Sequence, residues 1–524
     1  MKKMVVVISI IWTSVVWSQI WILRYNSGGG YDSLTAMTVD AYGNIYVTGK
    51  SYVSYLTGYD YATLKCSPLG EILWVRRYEG TYSDVPNAIA EDGSGNVYVT
   101  GRSMVSALPD WDYLTVKYDA NGVEKWVRSY DDGDSAYGDA RSMALESGMI
   151  YITGYCKIGL ISYALTLKYN GPGYLLWTKR YSISGSGYGR AIAAGSGMIY
   201  VAGYYEYSGQ DHNYFIVKYT PLGTEEWAKQ YNGPADSTDE VRAITIDNSG
   251  NVYVTGCSIG LGTGYDYATI KYNSAGGREW VARYNGPGNG SDAATAIAVD
   301  ASGNVYVTGY SIGSGTGYDY ATIKYNSAGQ EVWVRRYEGP YDNFANAIAV
   351  DDSGNVYITG ASDFSGSNDY DYFTIKYNSA GTVRWTKRYI GPGGDDRATQ
   401  IALYDGYVYV SGTSVSSGGS KDYLIIKYLA VGVEEDAKSE FIIPKLEVSS
   451  NIFARSSFIS YWLPIKSRVR LKLYDLTGKF VKTLVDKKQN PGKHTVNCDF
   501  SPGIYFIKLS TENFNAIQKV IILK

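Results

Sequence analysis

Gly303-Asn304-Val305-Tyr306-Val307-Thr308-Gly309 returns eight times along the chain, intact or worn. The copies close at Gly49, Gly101, Gly154, Gly203, Gly256, Gly309, Gly360 and Gly412, spaced by 49 to 53 residues. Gly and Asn suit a tight turn because both tolerate positive φ, and Val-Tyr-Val-Thr is a run of strong strand formers. A period of this length across most of a 524-residue chain implies small repeated units rather than separate cores.

Working outward from the motif, residues 296–300 form a short apolar strand and 301–304 a turn. Residues 305–308 are a second strand, 311–318 a Gly/Ser-rich loop and 319–325 a third strand. Residues 326–329 turn again before a fourth strand at 331–337. Four antiparallel strands repeated eight times predict an all-β, eight-bladed β-propeller. The fourth strand carries Trp-x-x-x-Tyr, at Trp21, Trp74, Trp126, Trp177, Trp227, Trp280, Trp333 and Trp385. The first of these precedes the first complete repeat, and the last repeat lacks one. The counts match if residues 20–25 supply the outer strand of the eighth blade, beside residues 421–428. A ring closed in this way by an N-terminal strand leaves no blade incomplete.

Composition narrows the function classes. Gly (60) and Tyr (54) far outnumber Phe (11) and Pro (13), as in turn-rich β structure. The net charge is −3 with no basic stripe, which argues against a nucleic-acid partner. His212 and His494 are the only histidines, which argues against a His-ligated metal or a Ser-His-Asp triad. Cys66, Cys156, Cys257 and Cys498 form no legible disulfide framework, and none is expected.

Both ends differ from the repeats. Residues 1–18 read as a secretory signal peptide: Lys2 and Lys3, an apolar run over 4–16, and Val16-Trp17-Ser18 at the cleavage point. That run is short for a membrane span, and the mature chain shows no membrane-spanning segment. The propeller is expected over 19–430 and a linker, with Glu434-Glu435-Asp436, over 431–445. Residues 446–524 form a second, smaller all-β domain, with strands at 458–463, 469–475, 480–485, 494–498, 503–510 and 516–523.

Two resemblances add to this reading. The core Asp-x-x-Gly-Asn-Val-Tyr-Val-Thr-Gly, here ending at Gly309, resembles the bacterial SBBP β-propeller repeats over roughly residues 20–430. That resemblance implies fold and surface location, and no shared reaction. The C-terminal domain resembles the sorting domains of the type IX secretion system, which are immunoglobulin-like sandwiches. The matching pieces are Ile459-Ser460-Tyr461-Trp462-Leu463-Pro464, the stretch from Val469 to Lys479, Pro491-Gly492-Lys493-His494, Gly503-Ile504-Tyr505-Phe506 and the last seven residues. Asn451-Ile452-Phe453 replaces the usual Asn-Pro-Phe at the domain start. The resemblance implies the type IX machinery as a partner, export across an outer membrane, and release or attachment at the surface.

Four features compete as sites. The Asp turns at Asp247, Asp300 and Asp351 are either calcium loops or hairpin turns; they offer too few oxygens for the former, and calcium is the one candidate cofactor. Lys65, Lys117, Lys168, Lys218, Lys271, Lys324, Lys376 and Lys427 recur on every third strand. A lysine needed in every blade is expected to meet a carboxylate or carbonyl at a blade junction, not an anion. The recurrent Trp resembles the tryptophan-docking turn of eight-bladed quinoprotein dehydrogenases and the Asp-box turn of sialidases, both locks between blades. The vicinal cysteine pair that the quinoprotein resemblance would require is absent. Last, the loops on one face, at 52–59, 131–139, 204–213, 236–240, 363–370 and 395–396, are varied and rich in Tyr and Asp. Variable loops on a rigid scaffold are where binding sits.

The favoured expectation is a secreted or cell-surface, non-catalytic binding or adhesion module, for a glycan or another extracellular partner, using face tyrosines such as Tyr204 and Tyr205. Two rivals remain: a hydrolase or lyase with paired carboxylates at the channel mouth, and a purely structural surface component. No residue is singled out as catalytic, cofactor-binding or metal-ligating.

Overall fold

The computed structural model describes residues 19–430, apart from 29, 55–57, 107–109, 132–134, 184 and 208–210. It also describes 445–522, apart from 449–451, 454–457, 464–466, 477, 491, 498–500 and 512–514. The expected signal peptide, and the expected linker up to residue 444, lie outside the described residues. The chain divides into two compact units.

The first unit holds eight four-stranded antiparallel sheets. In the sixth, Ala293–Val299, Val305–Ile312, Tyr318–Tyr325 and Glu331–Tyr337 pair in chain order from the inside out. The eighth has Arg397–Tyr404, Tyr407–Val415 and Lys421–Leu429, and its outer strand is Gln19–Tyr25. Trp21 lies opposite Lys427 and Tyr25 opposite Tyr423. The ring is therefore an eight-bladed propeller, closed by the strand the Trp count required. The inner strands of successive blades touch, including Asp32–Val39 against Arg397–Tyr404 across the closure.

The middle strands of each blade are covered on both faces by neighbouring blades. Val305, Tyr306, Val307 and Thr308 are accordingly all buried, a continuous run rather than an alternation. Close stacking explains the closing glycine. Tyr267 of the preceding blade donates its hydroxyl to Ala321 O (3.1 Å) and passes directly over Gly309.

The turn before the motif is held by its aspartate. Asp300 Oδ1 accepts from the backbone N–H groups of Ser302 and Asn304 (both 2.9 Å). Its Oδ2 accepts from Asn304 Nδ2 (2.8 Å) and the Tyr306 hydroxyl (2.9 Å). Asp247 and Asp351 repeat the arrangement. These are hairpin turns in which four protein donors surround one carboxylate. Partial burial pushes these carboxyls up, but the donors, led by the Asn side chain, hold them below the ordinary value.

Another set of aspartates shifts the other way. Burial raises Asp60, Asp84, Asp239 and Asp371 to about 6 and Asp396 to about 7. A carboxyl with a raised folded pKa stabilises the fold below its unfolded pKa of about 3.9, and that contribution is lost as pH rises through the folded value. The turn aspartates act oppositely, losing their contribution only as pH falls below about 4. Calorimetry across pH is thus expected to show the propeller's highest melting temperature at about pH 4–5, falling toward pH 7. A melting temperature that rises steadily from pH 5 to 7 would contradict this.

The second unit has two sheets. Lys445–Val448, Phe458–Leu463 and Gly492–Asn497 form one. Ile452–Phe453, Asn515–Ile522, Gly503–Ser510, Ser467–Asp475 and Phe480–Gln489 form the other. Ile459 and Tyr461 of the first sheet share a core with Val469, Leu471, Leu473, Val485, Ile507 and Leu509 of the second, so the two sheets form one sandwich. All six strands read from the sequence are present within a few residues. The short strands at Lys445–Val448 and Ile452–Phe453 are additional.

Candidate functional site at the channel mouth

The recurrent lysines and tryptophans belong to the scaffold. Lys324 Nζ and Trp333 Nε1 of blade six both donate to Ser379 O in the next blade's outer turn, each at 3.2 Å. At the closure, Lys427 Nζ (2.9 Å) and Trp21 Nε1 (3.1 Å) meet on Pro68 O. All eight junctions use this clasp, the others converging on the carbonyls of Ala120, Gly171, Pro221, Ser274, Ser327 and Ala430. Each lysine also lies over the second-strand Tyr of its own blade, as Lys324 over Tyr306 at 5.1 Å. The expected carboxylate or carbonyl partner at blade junctions is present at every blade: each lysine meets a carbonyl, and Lys218 and Lys271 also pair with Glu226 (2.7 Å) and Glu279 (2.9 Å) of their own chain.

Several loop aspartates are engaged within their own face. Asp363 accepts from the backbone N–H groups of Ser365, Gly366 and Asn368 (2.8, 2.8 and 3.0 Å), closing its own loop. Asp396 accepts from Gly391 N and Val415 N, and Asp239 from Gly233 N at 2.7 Å. Asp395 pairs with Arg397 at 2.8 Å. Short acidic side chains beside turns find backbone N–H groups before they find solvent. Tyr205 is corrected: it is buried, and its hydroxyl donates to Gln230 Oε1 at 2.9 Å. Its neighbour Tyr204 remains on the face, because successive residues of a strand point to opposite sides.

What the structure adds is a β-bulge in every inner strand. The register slips between Leu34 and Ala36 in blade one and at the equivalent place in the other seven. The bulged residues are Thr35, Asn87, Arg141, Arg190, Arg242, Thr295, Asn346 and Thr399. A bulge re-aims one side chain, here toward the neighbouring inner strand. Thr35 donates to Pro86 O (2.9 Å), Asn87 to Ala140 O (2.7 Å), Thr295 to Ala345 O (2.8 Å) and Asn346 to Ala398 O (2.8 Å). Blades three, four and five carry arginine instead. The signal was in the sequence: the residue before each Ala-Ile-Ala-like segment becomes Arg in three consecutive repeats.

These arginines meet a row of aromatic rings at the mouth. Trp111 and Tyr137 have centroids 6.5 Å apart, Tyr137 and Tyr155 5.6 Å, and Tyr155 and Tyr188 5.1 Å. The row continues through Tyr188–Tyr204 at 5.0 Å and Tyr204–His212 at 4.5 Å. All six rings are half-buried. Beyond Arg242, on blades six and seven, Tyr310, Tyr318 and Phe344 pack mutually, with centroids 5.2–5.3 Å apart. His212 lies between Glu240 (Nδ1–Oε1 3.3 Å) and Glu206 (Nε2–Oε1 3.7 Å). The His212 contact pulls the Glu240 carboxyl below its ordinary value against the opposing effect of burial. Burial raises Asp139 despite its pairing with Arg141 (2.7 Å) and Arg102 (3.3 Å).

Family models match segments of both units. The β-propeller repeat model SBBP matches residues 73–105, 226–262, 279–315 and 332–366. A secretion system C-terminal sorting domain matches residues 456–523. An uncharacterized WD repeat-containing protein of Acanthamoeba polyphaga mimivirus is 24% identical over 423 residues, covering 62% of this chain. The chain spans only 29% of that relative's length. Similar solved structures include Sqt1 from Chaetomium thermophilum (TM-score 0.47, 10% identity, 80% of this chain and 100% of that one). PorZ, a surface component of the type IX secretion system of Porphyromonas gingivalis, aligns with TM-score 0.27 and 12% identity, over 97% and 75% of the two chains. The β-propeller domain of the Trilobed protease from Pyrococcus furiosus aligns with TM-score 0.38 and 9% identity, over 68% and 98%. Among the described residues no helix is long and apolar enough to cross a membrane. The sorting domain implies handling by type IX secretion and export to the cell surface or extracellular space. The chain thus carries four SBBP β-propeller repeats within its eight-bladed ring and a type IX secretion C-terminal sorting domain over residues 456–523.

Proposed function

We propose that this exported propeller is a non-catalytic binding module that holds an extracellular glycan against the rings at its channel mouth. The observation that carries the reading is the unbroken row from Trp111 to His212, six half-buried rings with successive centroids 4.5–6.5 Å apart. Rings fixed in such a row offer flat apolar faces with polar edges, which suit the alternating C–H and O–H surfaces of sugars. A secretory signal over 1–18 and a linker over 431–445 complete the proposed order of segments.

The hydrolase rival has less support. It needs one carboxyl held protonated beside a second that stays ionised and reachable. Glu240 is held down rather than up. Asp139 is raised, but it is buried among Arg141, Arg102 and Asn87. The cleft of about 240 Å³ between blades two and three lies on the opposite side, and its carboxylates Glu91 and Glu146 accept from the backbone of Gly95 and Gly197.

The test is titration of the mature chain against a glycan panel, with calcium and with chelator. Saturable binding is expected, and Tyr188→Ala or Tyr204→Ala should each weaken it about tenfold, or 1.4 kcal/mol. Absence of saturable binding to any glycan would reject the reading.

A further inference from the structure

We infer that the ligand of this mouth is an acidic sugar, bearing carboxylate or sulfate-ester groups, and that Arg190 and Arg242 bind those groups. This rests on the glycan reading above and narrows it to a charge class.

The bulge position has a structural task elsewhere in the ring. In four other blades its side chain latches onto the next inner strand through a Thr or Asn donor. In blades three, four and five the residue is Arg, and the guanidinium groups turn to the mouth instead. Arg141 lies over the Tyr155 ring at 5.7 Å, Arg190 over Tyr204 at 5.2 Å and Arg242 over Tyr310 at 5.7 Å. Three adjacent blades thus give up a structural contact to place cations along one arc.

Arg141 shares the Asp139 carboxylate with Arg102. Among the described residues, Arg190 and Arg242 have no carboxylate within ion-pair distance. Arg190 Nη2 donates to the Tyr204 hydroxyl at 3.4 Å, and Arg242 Nη1 to the Tyr310 hydroxyl at 3.2 Å. Glu240 contacts His212 and lies within electrostatic reach of both arginines without pairing with either. Each guanidinium has five N–H donors in a rigid fork, so most of its capacity is unfilled. Stacking on tyrosine holds the fork in place and lowers the entropy lost when an oxyanion binds. Planar forks match carboxylate and sulfate oxygens in pairs, whereas a neutral sugar offers no such partner.

The experiment uses the mature full-length chain and four probes: polygalacturonate, dextran sulfate, neutral dextran and polyglutamate. Binding to polygalacturonate or dextran sulfate is expected to exceed dextran binding at least tenfold and to weaken with added salt. Which of the two binds tighter separates a carboxylate ligand from a sulfate ester. Arg190→Gln and Arg242→Gln should each weaken binding at least tenfold. Arg190→Lys should restore part of it, and Lys482→Gln in the C-terminal domain should change nothing. Melting temperatures of the variants should stay within a few degrees of the parent, because these side chains latch no neighbouring strand. Equal binding of dextran, or full binding by both Gln variants, would overturn the inference and leave the glycan reading standing. Equal binding of polyglutamate would overturn it by showing a response to charge alone. No binding to any of the polysaccharides would overturn both.

Discussion

Replacing Trp21 by alanine is expected to destabilise the propeller by about 3–5 kcal/mol, the range for truncating a buried aromatic side chain. Trp21 is 6% exposed, donates to Pro68 O, and lies flat against Gly70 of the first blade. It belongs to the strand that closes the ring, so the loss should be local first. Hydrogen exchange should speed up in Gln19–Tyr25 and Lys421–Leu429 while the middle strands of blades three to six keep their protection. Denaturant titration gives the magnitude. A uniform loss of protection around the ring would show that the closure is not a separable unit.

The second large effect is expected at Gly309. Alanine there should cost at least about 3 kcal/mol, the upper part of the range for overpacking. An added Cβ would overlap the backbone carbonyl of Ala293 and stand 2.8 Å from the Tyr267 hydroxyl. Neither can retreat, since one is in the inner strand and the other is clamped between blades. Gly418 is the matched control. Its nearest neighbour would be Ser416 Oγ at 3.8 Å, and alanine there should change stability by less than about 0.5 kcal/mol. Similar melting temperatures for the two variants would sink the explanation of why the motif ends in glycine.

These two sites show why so much of the architecture could be read from the chain. Blade number and closure rest on local features: a turn that needs Gly and Asn, a run of strand formers, and a Trp whose count must balance. The lysines were legible for a related reason, since a buried charge repeated in each unit demands a partner in each unit. The mouth was less legible. A bulge shifts the register by one residue, and Thr, Asn and Arg all look polar at that position, so the pattern does not reveal where the side chain goes. Tyr204 and Tyr205 were equally plausible face residues until the strand's alternation separated them. For the loop aspartates, a sequence shows the charge but not the backbone N–H groups that satisfy it, as at Asp363, Asp396 and Asp239.

The closing strand also sets how the molecule bears force. Wherever the chain is held through its C-terminal end, tension enters the propeller at the end of Lys421–Leu429. In a ring built from whole repeats in chain order, the last strand would be an outer edge, and load would peel it away one hydrogen-bonded pair at a time. Here Gln19–Tyr25 lies outside it and Tyr407–Val415 inside it, so the strand that takes the pull is bonded along both sides. Detaching it requires breaking two ladders together. Load entering from the C-terminal side therefore meets a tether rooted inside a sheet, with Gln19–Tyr25 acting as its clamp.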